Sequence, residues 1–439
     1  MAIFLCANTT NQTSVSAEHL ITRELGICQT LERRTLMPFE NINHGLHNGP
    51  RKEIAPPKVL VDLLAQADIQ FNGSRPWDIL VYDDSLFKRV LTRGSLGFGE
   101  AYMDCLWGCA AMDELFTRLM AVGIEEQLAS WFKFRMLVEI VRQYLFNLQS
   151  IQRTFQVGER HYDIGNDIFE AMLDTSMTYS CGYWESADNL ELAQQDKLEL
   201  ICRKLQLQPG ERLLEIGCGW GSLMQYAAEH FGVSVVGVTV SKAQQQRVRE
   251  RCKDLPVTVE LKDYREITGS YDKVVSVGMF EYVGHKNYRT YFHTVDRLLR
   301  DNGLFLLHTI GQNKTAKTLD PWIDKYIFPN GKLPSAQEIT QSLESVFLIQ
   351  DWHNFGPDYD RTLMAWWHNF DHAWPELRKH YDERFYRMWK YYLHSCAGFF
   401  RSRQGQLWQL GPVNTNPIGS VVSENAPIKA RGVRFGDSK

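Results

Sequence analysis

Three glycines alternate in the stretch LLEIGCGWGSL, Leu213 to Leu223, directly behind a short apolar run. Gly217, Gly219 and Gly221 follow the strand-like RLLEI and precede the helix-like SLMQYAAEHF. Residues without a Cβ permit a tight turn and let a ligand come close to the backbone. The same rhythm continues downstream. VSVVGVTV, VTVEL, DKVVSVGM and GLFLLHTI are short, apolar and β-branched, with helical stretches such as NYRTYFHTVDRLL between them. That alternation predicts an α/β fold, a mostly parallel sheet with helices on both faces, and ligands at the carboxyl ends of its strands.

Three ligand classes use a glycine turn of this kind. A P-loop requires Gly-Lys-Ser/Thr, which is absent. A dinucleotide site prefers GxGxxG with an acidic residue after the next strand, but here the spacing is GxGxG and that strand ends in Thr239-Val240-Ser241. S-adenosylmethionine sites favour an acidic residue two positions before the first glycine, where Glu215 stands. Thr239 and Gln244 flank the second strand end and suit ribose or methionine groups. Asp263, after VTVELK, suits the adenine amino group or, equally well, a helix cap.

The remaining chain sets the boundaries. Residues 1–55 read as a poorly ordered extension, 56–155 as a small, mainly helical domain, 156–410 as the α/β domain and 411–439 as an atypical tail. PWDILVYDD reads as strand and turn, and DSLFKRVLTRG as a helix ending at Gly94. DPWIDKYIFPNGKLPS interrupts the sheet pattern as a loop or lid, and aromatic helices run from about Arg361 to Phe400. A net charge of -4 in 439 residues gives no sign of a nucleic-acid partner. Nine scattered cysteines without CxxC spacing argue against a disulfide framework and point to a reducing, cytoplasmic compartment. No apolar run is long enough to span a membrane, and MAIFLCANTT lacks the basic start of a secretory signal. His161, Asp163 and Asp167 read as a cap and turn rather than a metal site.

HYDIGNDIF (161–169), TYSCGYW (178–184), LLEIGCGWGSL, VVGVTVS, SVGMFEYVG (276–284), LLHTIG (306–311), DWHNFGPDYDRTLMAWW and YYLHSCAGFFR occur in that order. Together they resemble bacterial cyclopropane-fatty-acyl-phospholipid synthases, with mycolic-acid cyclopropane synthases as more distant relatives. The resemblance runs from about Ala65 to Gln409. It implies a Rossmann-like S-adenosylmethionine methyltransferase fold with a seven-stranded sheet. It also implies a cofactor site lined by Tyr179, Ser180, Glu215, Gly217, Gly219, Gly221, Thr239, Ser241, Gln244, Asp263 and Tyr264. Cys181, Glu281, His308, Ile310 and Tyr359 would surround a bicarbonate ion, and Cys396 falls where the family carries a cysteine often regarded as catalytic. It further implies a lipid-meeting N-terminal domain, a homodimer, and an enzyme at the inner face of the membrane without spanning it. Two departures stand out: Tyr282 replaces a histidine, and LGPVNTNPIGSVVSENAP after LWQ implies a shortened last strand.

Methylene addition to a cis double bond needs a dry site, stabilised positive charge and a base. Tyr179, Tyr183, Trp184, Trp220, Trp366 and Trp367 offer aromatic walls, with ordinary core as the alternative for Trp366 and Trp367. Glu281 would orient the bicarbonate and relay its proton, or act as base itself. His308 and Tyr359 would donate to the anion, as would the Ile310 N–H. His308 alone would otherwise read as a satisfied core residue. Cys181 and Cys396 are read as lining, because methyl transfer to an alkene needs no covalent enzyme intermediate. The basic and aromatic helix from Trp131 to Leu148 is a membrane-facing candidate or a plain core helix.

Overall fold

The structure, a computed structural model, describes residues 55–123, 165–316 and 318–414. The extension before residue 55, the Trp131–Leu148 segment, His161, Asp163, the domain boundary at 155/156 and the tail from residue 415 lie outside the described residues.

The strand candidates become β3 (Arg212–Ile216), β4 (Ser234–Thr239), β5 (Val257–Leu261), β6 (Tyr271–Val277) and β7 (Leu299–Gln312). Two more strands, β8 (Phe347–Asn354) and β9 (Gly405–Asn414), complete a seven-stranded sheet of order β5-β4-β3-β6-β7-β9-β8. The first five are parallel, while β9 runs antiparallel to both β7 and β8. Chain order reverses between β3 and β6, so the turns leaving these two strands face one crevice, where open α/β sheets bind ligands. Apolar clusters cover both faces. Phe280, Tyr291, Phe292 and Phe305 belong to one, and Ile201, Leu213, Met224 and Val248 to the other.

The last strand corrects one expectation. It is ten residues long and reaches Asn414, pairing through Val413 with both Leu304 and Leu348. The polar composition after Gln409 therefore does not shorten the strand, and a boundary at residue 410 falls inside it. Insertion between two existing strands supplies ladder partners on both edges, which outweighs the weak propensity of Pro and Asn. The glycine closing LLHTIG has a packing reason here. A Cβ on Gly311 would lie 2.1 Å from the Trp408 ring.

In the N-terminal region, α1 (Lys58–Gln66), α2 (Ser85–Met103) and α3 (Met112–Ala121) pack around a ribbon of two-residue strands, Leu80–Val81 and Trp107–Gly108. Gly94 does break the helix, at φ 57°, but a second helical stretch resumes behind it and continues to Met103. This region shares one apolar cluster with the aromatic helices α11 (Pro357–Leu377) and α12 (Glu383–Arg401). Buried Arg387 of α12 donates to the carbonyls of Tyr102 (2.6 Å) and Trp107 (3.0 Å), so the two parts are held by polar bonds as well as by packing.

Gly311→Ala should lower stability by about 1–3 kcal/mol, the usual cost of overpacking a tight core. Urea denaturation checks this, and an unchanged midpoint would show that the Trp408 ring has room to move.

Candidate active site

Strand β3 ends at Ile216 and the chain turns through Gly217 (φ 82°), Gly219 (φ 51°) and Gly221 (φ 84°) into α6 (Ser222–Phe231). The three glycines do different work. A Cβ on Gly217 would strike Met279, and one on Gly221 would strike Val248, whereas Gly219 faces open space. Only Gly219 combines the left-handed backbone with an open approach for a ligand.

A cavity opens over this turn. Its walls include Tyr179, Ser180, Glu215, Gly217, Gly219, Thr239, Gln244, Asp263 and Tyr264. Gly221 and Ser241 stand behind the wall. Ser241 caps α7 (Lys242–Arg251) through Gln244 N, and Thr239 Oγ1 donates to Gln244 Oε1 at 2.7 Å, which fixes the amide. Asp263 takes the capping role that its sequence position left open. It caps the turn Tyr264–Glu266, and both carboxylate oxygens accept from Arg265 at 2.7 Å. Oδ1 also accepts from the Arg265 N–H at 3.0 Å, so the acceptor capacity left at the wall rests with Oδ2.

Several buried polar atoms on this wall find no partner among the described residues: Glu215 Oε2, Gln244 Nε2 and the Tyr264 hydroxyl. Buried groups of this kind are normally bonded, so acceptor, amide donor and hydroxyl mark contact points for a ligand. Burial pushes the Glu215 carboxyl up to about 8, with the Lys197 charge opposing the shift. An open glycine backbone together with these unpartnered groups fits a nucleoside carrying an amino-acid arm, which is the shape of S-adenosylmethionine.

The second group of residues forms an adjoining wall at the ends of β6 and β7, outside the lining of that cavity. Phe280, stacked on Tyr288 at 4.4 Å, anchors the turn after β6 and thereby sets the direction of Glu281. Glu281 Oε1 accepts from the Ile310 N–H at 2.6 Å, and Oε2 has no hydrogen-bond partner among the described residues. Burial raises the Glu281 carboxyl to about 7 against the pull of that N–H. The expected use of the Ile310 amide as a direct anion donor is therefore replaced by its bond to Glu281. A carboxylate this buried captures the nearest strong donor.

His308 lies opposite Gln409 in the β7–β9 ladder, and Gln409 Nε2 donates to His308 Nδ1 at 3.2 Å. That contact leaves the ring proton on Nε2, which has no partner among the described residues. Burial lowers the His308 pKa well below the usual range, so the ring is neutral. Tyr359 stacks on Phe400 at 4.5 Å, and burial keeps its phenol protonated, with the ionisable groups of Cys181, Tyr179, Glu281 and Cys396 near enough to oppose its ionisation further. Burial likewise raises the Cys181 thiol well above the ordinary range and the Cys396 thiol to about 12. Neither is a thiolate at neutral pH.

The aromatic candidates divide. Tyr179 lies 5.2 Å from Trp366, and Phe169 lies 5.0 Å from Trp220 and 5.1 Å from Tyr179, forming one continuous array. Trp184 is pinned by Thr362 and Asp358 beside Cys181. Trp367 instead packs on Phe370, Tyr386 and His394, and the Tyr183 hydroxyl turns to Glu185 at the surface. Both fall outside the array.

Tyr282 lines the cofactor cavity beside Pro329 and Asn330 of the insertion, which contains the short helix Pro321–Tyr326. The insertion also bonds Lys332 N to the Glu281 carbonyl at 2.9 Å. The sequence reading passed over Gln409, Gln194 and Lys197. Each had a signal: a glutamine inside the apolar strand LWQL, and two polar residues on the buried stripe of α5 (Leu190–Lys204).

The fold and this site define an S-adenosylmethionine-dependent methyltransferase. Residues 149–410 match the family model described as mycolic acid cyclopropane synthetase. The chain is 56% identical over 353 residues to the cyclopropane-fatty-acyl-phospholipid synthase of Escherichia coli (strain K12), covering 80% of this chain and 92% of that one. Among solved structures, the cyclopropane synthase MmaA2 from Mycobacterium tuberculosis superposes with TM-score 0.56 at 32% identity, covering 59% of this chain and 97% of that one. The mycolic acid cyclopropane synthase CmaA1 complexed with SAH and CTAB does so with TM-score 0.55 at 33% identity, covering 59% and 97%. The chain belongs to the mycolic acid cyclopropane synthetase family.

Glu281 keeps its proton in the fold below about pH 7, whereas the free side chain releases it near 4.5. Burial is therefore nearly without cost below pH 4.5, and its penalty grows as pH rises to 7. Glu281→Gln should leave stability unchanged near pH 4 and raise it by on the order of 3 kcal/mol above pH 7. Urea titrations of both proteins across this range test the sign.

Proposed function

We propose that this protein is a cyclopropane-fatty-acyl-phospholipid synthase that builds the ring on a cis-unsaturated acyl chain of a membrane phospholipid. The observation that carries the reading is the pairing of a glycine-turn cofactor cavity with an adjoining buried wall on which Glu281, neutral His308 and protonated Tyr359 present polar groups. S-adenosylmethionine supplies an electrophilic methyl group when bound. Tyr179, Ser180, Glu215, Gly219, Thr239, Gln244, Asp263 and Tyr264 would hold it. Tyr179, which lines the cavity, continues through Trp366 (5.2 Å) to Tyr359 (6.0 Å), and each ring face met by the acyl chain would be worth roughly 0.5–2 kcal/mol toward positive charge on it. The same rings exclude water that would trap that charge.

Ring closure requires loss of a proton. Glu281 Oε2 is the atom placed to receive it, because Oε1 is fixed on the Ile310 amide and a pKa of about 7 suits acceptance at neutral pH. Bicarbonate, where bound, supplies a small base. The Nε2–H of His308 and the Tyr359 hydroxyl would hold it. Cys181 and Cys396, both protonated, would not attack substrate.

The lipid substrate brings the protein to a bilayer. Among the described residues no helix is long and apolar enough to cross one, so contact would be peripheral, through the N-terminal domain, on the cytoplasmic face, with the protein as a homodimer. The family resemblance supports this part. Binding to vesicles should strengthen with anionic lipid and weaken with salt in a flotation assay. Salt-insensitive binding would remove the electrostatic component.

The decisive assay mixes methyl-labelled S-adenosylmethionine with vesicles of cis-unsaturated phospholipid and reads lipid mass and alkene loss. A mass gain with loss of the alkene supports the synthase. Label on a soluble acceptor favours a methyltransferase of another substrate, and cofactor binding without turnover favours a lipid-binding homologue. Glu281→Gln should lose at least about a hundredfold in kcat, and Tyr359→Phe roughly tenfold or more, with cofactor affinity kept in both.

A further inference from the structure

Lys197 has no part in the chemistry above, yet it is one of the most deeply buried charged residues of the protein, with 1% of its surface exposed. It sits on the inward stripe of α5 and lines the cofactor cavity. Among the described residues its ammonium forms no ion pair. Its hydrogen bond goes to Ser180 Oγ at 2.8 Å. One turn earlier, Gln194 Nε2 donates to the Ser180 carbonyl at 2.8 Å and to the Thr178 carbonyl at 3.3 Å, so α5 grips the 178–180 strip from two points. On the same cavity wall stands Glu215, whose Oε2 has no partner among the described residues.

An ammonium group donates and never accepts. Ser180 Oγ therefore accepts from Lys197, and its own O–H is left to donate elsewhere. With the Lys197 side filled, the hydroxyl proton is directed at the cavity. The wall thus carries a cation-backed donor at Ser180 and, at Glu215, a buried carboxyl whose Oε2 is unpartnered among the described residues and which a ligand ammonium would draw into its charged form. An amino-acid zwitterion is the chemical complement of that pair.

We infer that Lys197 is a positioning residue that, through Ser180, prepares the cavity for the α-carboxylate of the cofactor's amino-acid end, while Glu215 receives its α-ammonium. The inference rests on the cofactor reading above and deepens it.

The test compares two nucleosides that share adenosine and sulfur and differ in the amino-acid arm. S-adenosylhomocysteine carries the arm and 5′-methylthioadenosine lacks it. Calorimetric titration of the full chain should show Lys197→Met weakening S-adenosylhomocysteine about tenfold while 5′-methylthioadenosine stays within about twofold. In a Ser180→Ala background, Lys197→Met should add little further loss, because the two residues act as one unit. Lys197→Gln carries the same comparison if the methionine variant does not fold. Equal weakening of both nucleosides, no weakening of either, or full additivity with Ser180→Ala would overturn the inference and leave the cofactor reading intact. A wild-type protein that binds neither nucleoside would overturn both.

Discussion

The bond between Glu281 Oε1 and the Ile310 amide, 2.6 Å at the rim of the sheet, is the interaction on which the site depends. A carboxylate taken out of water must find a donor, and here it takes a backbone N–H that cannot move away without disturbing a central strand. The consequence is asymmetric. One oxygen is fixed, and the other remains available in a dry space with a pKa near neutrality. The Glu281 backbone is held as firmly, by Phe280 stacked beneath and by Lys332 N bonded to its carbonyl.

The same logic extends along the crevice. Near the carboxyl ends of β3, β4, β6 and β7, polar groups keep one buried atom unpartnered among the described residues, and Glu281, His308 and Gln244 are each held by one structural bond. His308 is held through Nδ1 by Gln409 and keeps Nε2. Gln244 is held through Oε1 by Thr239 and keeps Nε2. Glu215 keeps Oε2. An ordinary core would satisfy such groups completely. The incomplete pattern, repeated along one rim, separates this surface from the two apolar clusters that hold the sheet between its helices.

Much of this was legible along the chain. RLLEI, VSVVGVT, VTVEL and SLMQYAAEHF became elements with nearly the expected ends, because short β-branched runs bounded by glycine or polar turns have few alternatives. Gly217, Glu215, Gln244 and Glu281 were visible through spacing and resemblance. The separate duties of the glycines were not, since they depend on Met279 and Val248, residues far along the chain. Asp263 could not be decided between cap and ligand contact without seeing Arg265 close on both its oxygens. Trp366 and Trp367 are neighbours in sequence, yet only one joins the array beside Tyr179, because adjacent helical positions point about 100° apart.

By itself the sequence determined the alternating architecture, the glycine turn and the presence of Glu215, Asp263 and Glu281 at or just beyond three of the strand ends, because these follow from local periodicity and backbone permissiveness. Only the tertiary structure decided which polar atoms are already spoken for. That Ile310 serves Glu281, that Gln409 bonds His308 Nδ1 and that Lys197 bonds the Ser180 hydroxyl are consequences of burial and long-range packing. Hydrogen-bond partners are assigned by proximity in three dimensions, and no period along the chain encodes them.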